Sequence, residues 1–127
     1  MLYIKDSSKS PEQAGQCLEA AAQKQKFGVL TVHNLKETMK KKGVEMDMDC
    51  LIYEVCNPFQ AKKVLEANPS VSTVLPCRIS IYRQGGKTRL ATILPTEMLR
   101  GFDSPELEPV AREVERAMMA MIDEAAS

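Results

Sequence analysis

Residues 77–94 read Cys77-Arg78-Ile79-Ser80-Ile81-Tyr82-Arg83-Gln84-Gly85-Gly86-Lys87-Thr88-Arg89-Leu90-Ala91-Thr92-Ile93-Leu94, and this stretch decides the fold. Two apolar-rich arms flank Gly85-Gly86, a pair that tolerates the positive φ of a tight hairpin turn. With those glycines at the centre of the turn, Tyr82 faces Arg89, Ile81 faces Leu90, Ile79 faces Thr92 and Cys77 faces Leu94. One face then collects Cys77, Ile79, Ile81, Leu90, Thr92 and Leu94 and must be buried. The other carries Arg78, Ser80, Tyr82, Arg89, Ala91 and Ile93, a mixture that can meet water, a partner subunit or an anion.

Outward from the hairpin the chain alternates strands and helices. Met1–Lys5 reads as a first strand, followed by the polar turn Asp6–Lys9. Ser10, Pro11 and Gln13 form a capping box with proline in the first helical position, worth about one or two kcal/mol. Ala14, Cys17, Leu18, Ala21 and Ala22 recur at helical spacing, which assigns Cys17 to a core stripe. Phe27–Val32 and Leu51–Cys56 read as strands, with a short exposed helix over Lys36–Lys42 stopped at Gly43. Asn57-Pro58-Phe59-Gln60 repeats the capping logic and starts a helix burying Ala61, Val64 and Leu65, which ends at Asn68-Pro69. Pro95–Arg100 adds a helical turn. Ser104-Pro105-Glu106 opens a long helix whose stripe is Leu107, Val110, Ala111, Val114, Ala117, Met118, Met121 and Ile122.

This order predicts one α+β domain over residues 1–127: a mostly antiparallel sheet of four or five strands, with two or three main helices on one face and the other face open. A chain of 127 residues can bury roughly two-thirds of its unfolded surface and needs neither disulfide nor metal to fold. Seventeen basic residues balance seventeen acidic ones, so the overall field that concentrates nucleic acid or an anionic membrane is absent. The apolar start Met1–Ile4 is far shorter than a signal core or a membrane span, and cytoplasmic residence is expected. Cys17, Cys50, Cys56 and Cys77 show no C-x-x-C pattern, and free thiols are expected in a reducing compartment.

Cys56 and Cys77 carry the chemistry worth testing. Cys56 stands just before a capped helix, whose unpaired amides and partial positive charge favour a thiolate over a thiol. The competing reading makes it a small apolar side chain packed at the helix entrance. Cys77, after Pro76, has the same two readings. Two thiols and the single histidine, His33, do not make a tetrahedral zinc site, although a soft metal on Cys56 and Cys77 stays open, and Met46, Met48 and Cys50 could supply further soft ligands from a loop entering a strand. His33 has no surroundings marking it as a base and reads as a surface or cap residue. No phosphate-cradling loop, G-x-S-x-G or H-E-x-x-H occurs, and Gly85-Gly86-Lys87 lies in a hairpin instead of before a helix. Arg78, Tyr82 and Arg89 form a candidate anion or cation–π group on the open face. Met118 and Met121 belong to the core stripe, with Met119 outside it.

Phe27-Gly28-Val29-Leu30, Cys56-Asn57-Pro58 before a helix, Leu75-Pro76-Cys77 opening the hairpin and the Pro95–Leu99 turn occur in an order and spacing that resembles the bacterial and archaeal domain-of-unknown-function family 302. The resemblance covers nearly the whole chain. It implies an α+β fold akin to the TATA-binding-protein-like sheet-and-helix group, of order β-α-β-β-α-β-β-α, together with homodimers. It implies no nucleic-acid binding, since fold does not fix function and the charge is lacking. The family's two motif cysteines fall on Cys56 and Cys77, which suggests that both thiols converge at one end of the sheet. Val55 and Leu94 depart from the small and acidic residues frequent at those positions in the family. No established activity or cofactor comes with the resemblance.

Three readings follow. The leading one is a small dimeric binding or carrier protein that holds a sulfur species, a soft metal or a thiol-reactive ligand at Cys56 and Cys77. An enzyme would use Cys56 as a redox or transfer nucleophile with Cys77 resolving a disulfide, but no general base is evident. A structural module would use the open sheet face and leave both thiols as packing.

Overall fold

The computed structural model describes all residues 1–127. Its strands are β1 (Leu2–Ser7), β2 (Gly28–Asn34), β3 (Cys50–Cys56), β4 (Cys77–Gln84) and β5 (Lys87–Ile93). The helices are α1 (Pro11–Lys24), α2 (Leu35–Lys41), α3 (Pro58–Ala67), α4 (Pro95–Arg100) and α5 (Leu107–Ala126), with a 3-10 segment over Pro69–Val74. The strands form one sheet of order β1-β5-β4-β3-β2, antiparallel at every step. The hairpin adopts the expected register, with Ile81 opposite Leu90 and Tyr82 opposite Arg89, and both turn glycines have positive φ.

Local signals place most boundaries. Ser10 Oγ accepts from the Gln13 amide at 3.2 Å while Gln13 Oε1 accepts from the Ser10 amide at 3.1 Å, so the capping box at α1 is complete. Gly43 follows α2 with φ +79°. Four local readings shift. Asp6 and Ser7, expected in a turn, extend β1 opposite Arg89 and Thr88, because the ladder with β5 continues that far. Cys50 is the first residue of β3 and is buried, not a loop residue, because it continues a ladder opposite Tyr82. Pro69 ends α3 as expected, yet its fixed φ also suits the 3-10 turn that follows, which the sequence pattern did not indicate. The last helix begins at Leu107, after Ser104-Pro105-Glu106, and no side chain caps its start.

α1 and α5 lie side by side on one sheet face. Between them and the sheet sits a core that includes Leu18, Ala22, Val55, Ile79, Ile81, Leu90, Met118 and Ile122. Close approach of α1 depends on Gly15: a Cβ there would lie 1.9 Å from the Tyr53 hydroxyl oxygen and 2.7 Å from Cζ of the same ring. A second, smaller cluster of Val64, Val71, Leu99, Leu107 and Ala111 forms where α3, the 3-10 segment, α4 and the start of α5 meet. Cross-ties join α5 to the rest: Tyr3 donates its hydroxyl to Asp123 at 2.5 Å, and Thr96 donates both its amide and its hydroxyl to Glu115. No helix is long and apolar enough to cross a membrane.

Gly15→Ala should destabilise the fold by about 1–3 kcal/mol through overpacking against Tyr53, measured by chemical denaturation. Adding Tyr53→Phe should recover part of the loss, because it removes the nearest clashing atom. An unchanged midpoint for Gly15→Ala would mean that this contact does not set the seat of α1.

Candidate functional site

β3 ends at Cys56 and β4 begins at Cys77, and in the antiparallel ladder Val55 is the direct partner of Cys77. The two cysteines, 21 positions apart by their numbers in the chain, therefore meet at one end of the sheet. Both line a single cavity of about 300 Å³. Phe27, Val55 and Val114 contribute to it from the main core, and Val64 and Leu99 from the smaller cluster. The cavity thus occupies the seam between two cores that do not close completely on one another. Ala61 and Leu65 of α3, Leu75 and Pro76 before β4, and Pro95 and Met98 of α4 complete most of its wall. The Leu75–Pro76 peptide is cis. Leu75, Pro76, Cys77, Pro95 and Met98 also border a second cavity of about 250 Å³, which adds Arg78, Thr73 and Thr92.

Burial reverses the ionisation expected for Cys56. Its pKa is raised, by desolvation, instead of being lowered by the helix. The amides that would stabilise a thiolate are already taken: Asn57 Oδ1 accepts from the Phe59 and Gln60 amides at 3.0 and 3.3 Å. The Ala61 amide donates to the Asn57 carbonyl at 2.9 Å, and Pro58 has no amide hydrogen to give. Standing before the cap, Cys56 finds no free donor in the first turn. Cys77 is pushed up to about 11, first by desolvation and then by the neighbouring Cys56. Both sulfurs are held as neutral thiols at neutral pH, and no disulfide joins them.

Gln60, expected to reach back into a capping box, instead donates Nε2–H to Glu113 Oε2 of α5 at 2.8 Å. That bond ties the start of α3 to α5 beside the cavity. The sequence offered no sign of it, since the partners are far apart in the chain and Gln60 reads locally as part of the cap.

The other candidates lie elsewhere. Cys17 packs against the main core. Cys50 is at the opposite end of β3 from Cys56, with Met46 and Met48 in the loop before it. No group of three or more His, Cys, Asp or Glu side chains comes together. On the open face, Arg78 lies 3.3 Å and His33 3.5 Å from Glu54, and Arg89 lies 3.2 Å from Asp6. Each arginine of the proposed anion group is therefore already opposite a carboxylate. Tyr82 neighbours Arg89 across the hairpin, while Arg78 sits at the other end of β4, so the three do not form one cluster.

A one-sheet α+β domain with a thiol-lined cavity at one sheet end is the class these features define. Residues 3–125 match the family described as "Domain of unknown function DUF302", and the chain belongs to that family. It is also similar to the crystal structure of an uncharacterized conserved protein DUF302 from Bacillus stearothermophilus, at 30% identity and TM-score 0.93, covering 98% of this chain and 97% of that one. No curated protein matches the chain.

The raised thiol pKa values carry a signed expectation. A folded-state pKa above the ordinary value favours the protonated form, so the stability linked to Cys77 is intact below pH 9 and is lost as pH rises from 9 through about 11. Wild type should lose more stability than Cys77→Ala over that interval in chemical denaturation. In parallel, iodoacetamide should modify Cys56 more slowly than free cysteine at about pH 8, and Cys77 more slowly still. Faster alkylation of Cys56 than of free cysteine would restore the helix-activated thiolate.

Proposed function

We propose that this chain is a small binding or carrier protein whose ligand occupies the seam cavity and is held in part by the sulfurs of Cys56 and Cys77. The observation that carries this reading is the coincidence of an apolar cavity with the two thiols in its wall. Ligand sites are typically concave and mostly apolar, with a few fixed polar groups that supply specificity. A soft metal or thiol-reactive group takes a sulfur as that sulfur gives up its proton, a single slow event that thiols of raised pKa still allow, whereas rapid nucleophilic turnover needs a thiolate or an adjacent base in every cycle. His33, the one histidine, lies against Glu54 on the open face, so the enzyme reading gains no base from it.

Phenylmercury, a soft electrophile with an aromatic body, is a suitable probe, because loss of the thiol proton leaves the bound species uncharged. Its reaction replaces a thiol proton: the S–H bond breaks, an S–Hg bond forms and the proton leaves to solvent. In a Cys17→Ser, Cys50→Ser background, which removes the two thiols outside the cavity, one equivalent should bind and raise the melting temperature, and the Cys56→Ser, Cys77→Ser double variant of that background should lose the effect. Ala61→Phe, which fills the cavity, should weaken it. Binding retained by the double variant would remove the thiols from the site.

Homodimerisation belongs to the same reading and is supported by the uncovered sheet face. Leu2 and Ile93 are partners in the β1–β5 ladder and both are exposed, and Ile4 adds to the same apolar corner. Sedimentation equilibrium should give a dimer for wild type and a monomer for Ile93→Glu. A monomeric wild type would remove this part of the proposal.

A further inference from the structure

The cavity wall limits the charge of what it can hold. No lysine, arginine, histidine, aspartate or glutamate lines it, and its polar side chains are confined to Asn57, Gln60, Ser72 and the two thiols. Asn57 is committed to capping α3, and Gln60 gives its amide hydrogen to Glu113 while its Oε1 is left buried without a partner, an acceptor that can take a hydrogen bond from a neutral ligand and repels an anion. Glu113 stands behind Gln60, so the nearest charge along that route is negative. Of the cations in adjoining cavities, Arg78 lies in the second, beside Cys77, and already faces Glu54, while Arg116 lies in a smaller one that shares Phe27, Asn57, Gln60 and Val114 with this wall and stands 4.0 Å from Glu113. An ionised ligand would lose its hydration here without gaining a counter-charge, a cost that apolar contact does not offset.

We propose that the natural ligand of this cavity is uncharged: a small, mostly apolar molecule, with its carboxylate or phosphate relatives excluded. At about 300 Å³ the cavity is about twice the size of an apolar cavity of roughly 150 Å³ that accepts benzene. Two fused rings, or a chain of comparable bulk, are the appropriate size. The inference rests on the cavity reading above and adds the class of ligand. The neutral state of both sulfurs, which desolvation maintains, keeps the wall free of charge at neutral pH.

The test uses the intact chain and two probes of nearly equal shape, 2-methylnaphthalene and 2-naphthoate, followed by calorimetry and amide chemical shifts. At pH 7 the hydrocarbon should bind and perturb residues of α3, α4 and the β3 end, and the carboxylate should bind at least about 100-fold more weakly. As pH falls toward the ordinary carboxyl range near about 4, the acid becomes neutral and its affinity should rise toward that of the hydrocarbon. Met98→Lys, which places a cation at the wall, should narrow or reverse the preference. Equal affinities at pH 7, or a carboxylate affinity that does not change as the acid is protonated, would overturn the inference while leaving the cavity as a site. Failure of both probes to bind, with no effect of Ala61→Phe, would instead remove the cavity reading itself. The wild-type pH series stands even if Met98→Lys fails to fold.

Discussion

Burial of one face of the sheet under α1 and α5 is the constraint on which the rest of the structure depends. The first two strands of the chain become the two edges of the sheet, so α1 must pass from one edge to the other across strands that are made later. It can lie close to the sheet only because Gly15 leaves room for the Tyr53 ring. With α1 seated there, Leu18, Ala21 and Ala22 reach Val55, Ile79 and Ile81 as one continuous core. Dense packing of that kind resists small changes in shape, which is why a single methyl group at position 15 has consequences.

The same arrangement creates the cavity. α1 and α5 cover the middle of the sheet, and the end bearing Cys56 and Cys77 is roofed by shorter pieces: α3, the 3-10 segment and α4. These pieces close around their own cluster of Val64, Val71, Leu99, Leu107 and Ala111. Two cores with separate centres leave a seam, and the seam is lined by what each turns toward the other, which is apolar. The sulfurs enter it because β3 and β4 run antiparallel and Val55 pairs with Cys77. The cavity therefore arises from incomplete fusion of two packed layers, and its apolar, uncharged wall follows from that origin.

Cys56 shows how a local argument can place a residue correctly and misjudge its ionisation. The Cys56-Asn57-Pro58 sequence does precede a helix, and Asn57 does cap it. The cap is what defeats the expected thiolate, since one side-chain oxygen consumes two amide donors and the Asn57 carbonyl takes the next. What remains is desolvation, which raises the pKa of a thiol. Gln60 diverges likewise: a capping box needs its Oε1 to accept from the Asn57 amide, but the side chain turns its Nε2–H to the Glu113 carboxylate of α5 and leaves Oε1 buried without a partner.

The main helices and strands, and many of their ends, are legible in the sequence alone. The Ser10 capping box, the Gly85-Gly86 turn, the stop at Gly43, the break at Pro69 and the apolar stripe of the last helix all act over a few residues, and such short-range preferences are readable in one dimension. The sequence also determined that one sheet face would be apolar and the other mixed, because alternation within a strand fixes which residues share a face. Tertiary structure decided the strand order, the seat of α1 against Tyr53, the extension of β3 to Cys50, the cavity at the seam and the protonation of its thiols. Each of these depends on groups brought together from distant parts of the chain. Desolvation in particular sums over every neighbour that excludes water, and no local pattern around Cys56 or Cys77 records those neighbours.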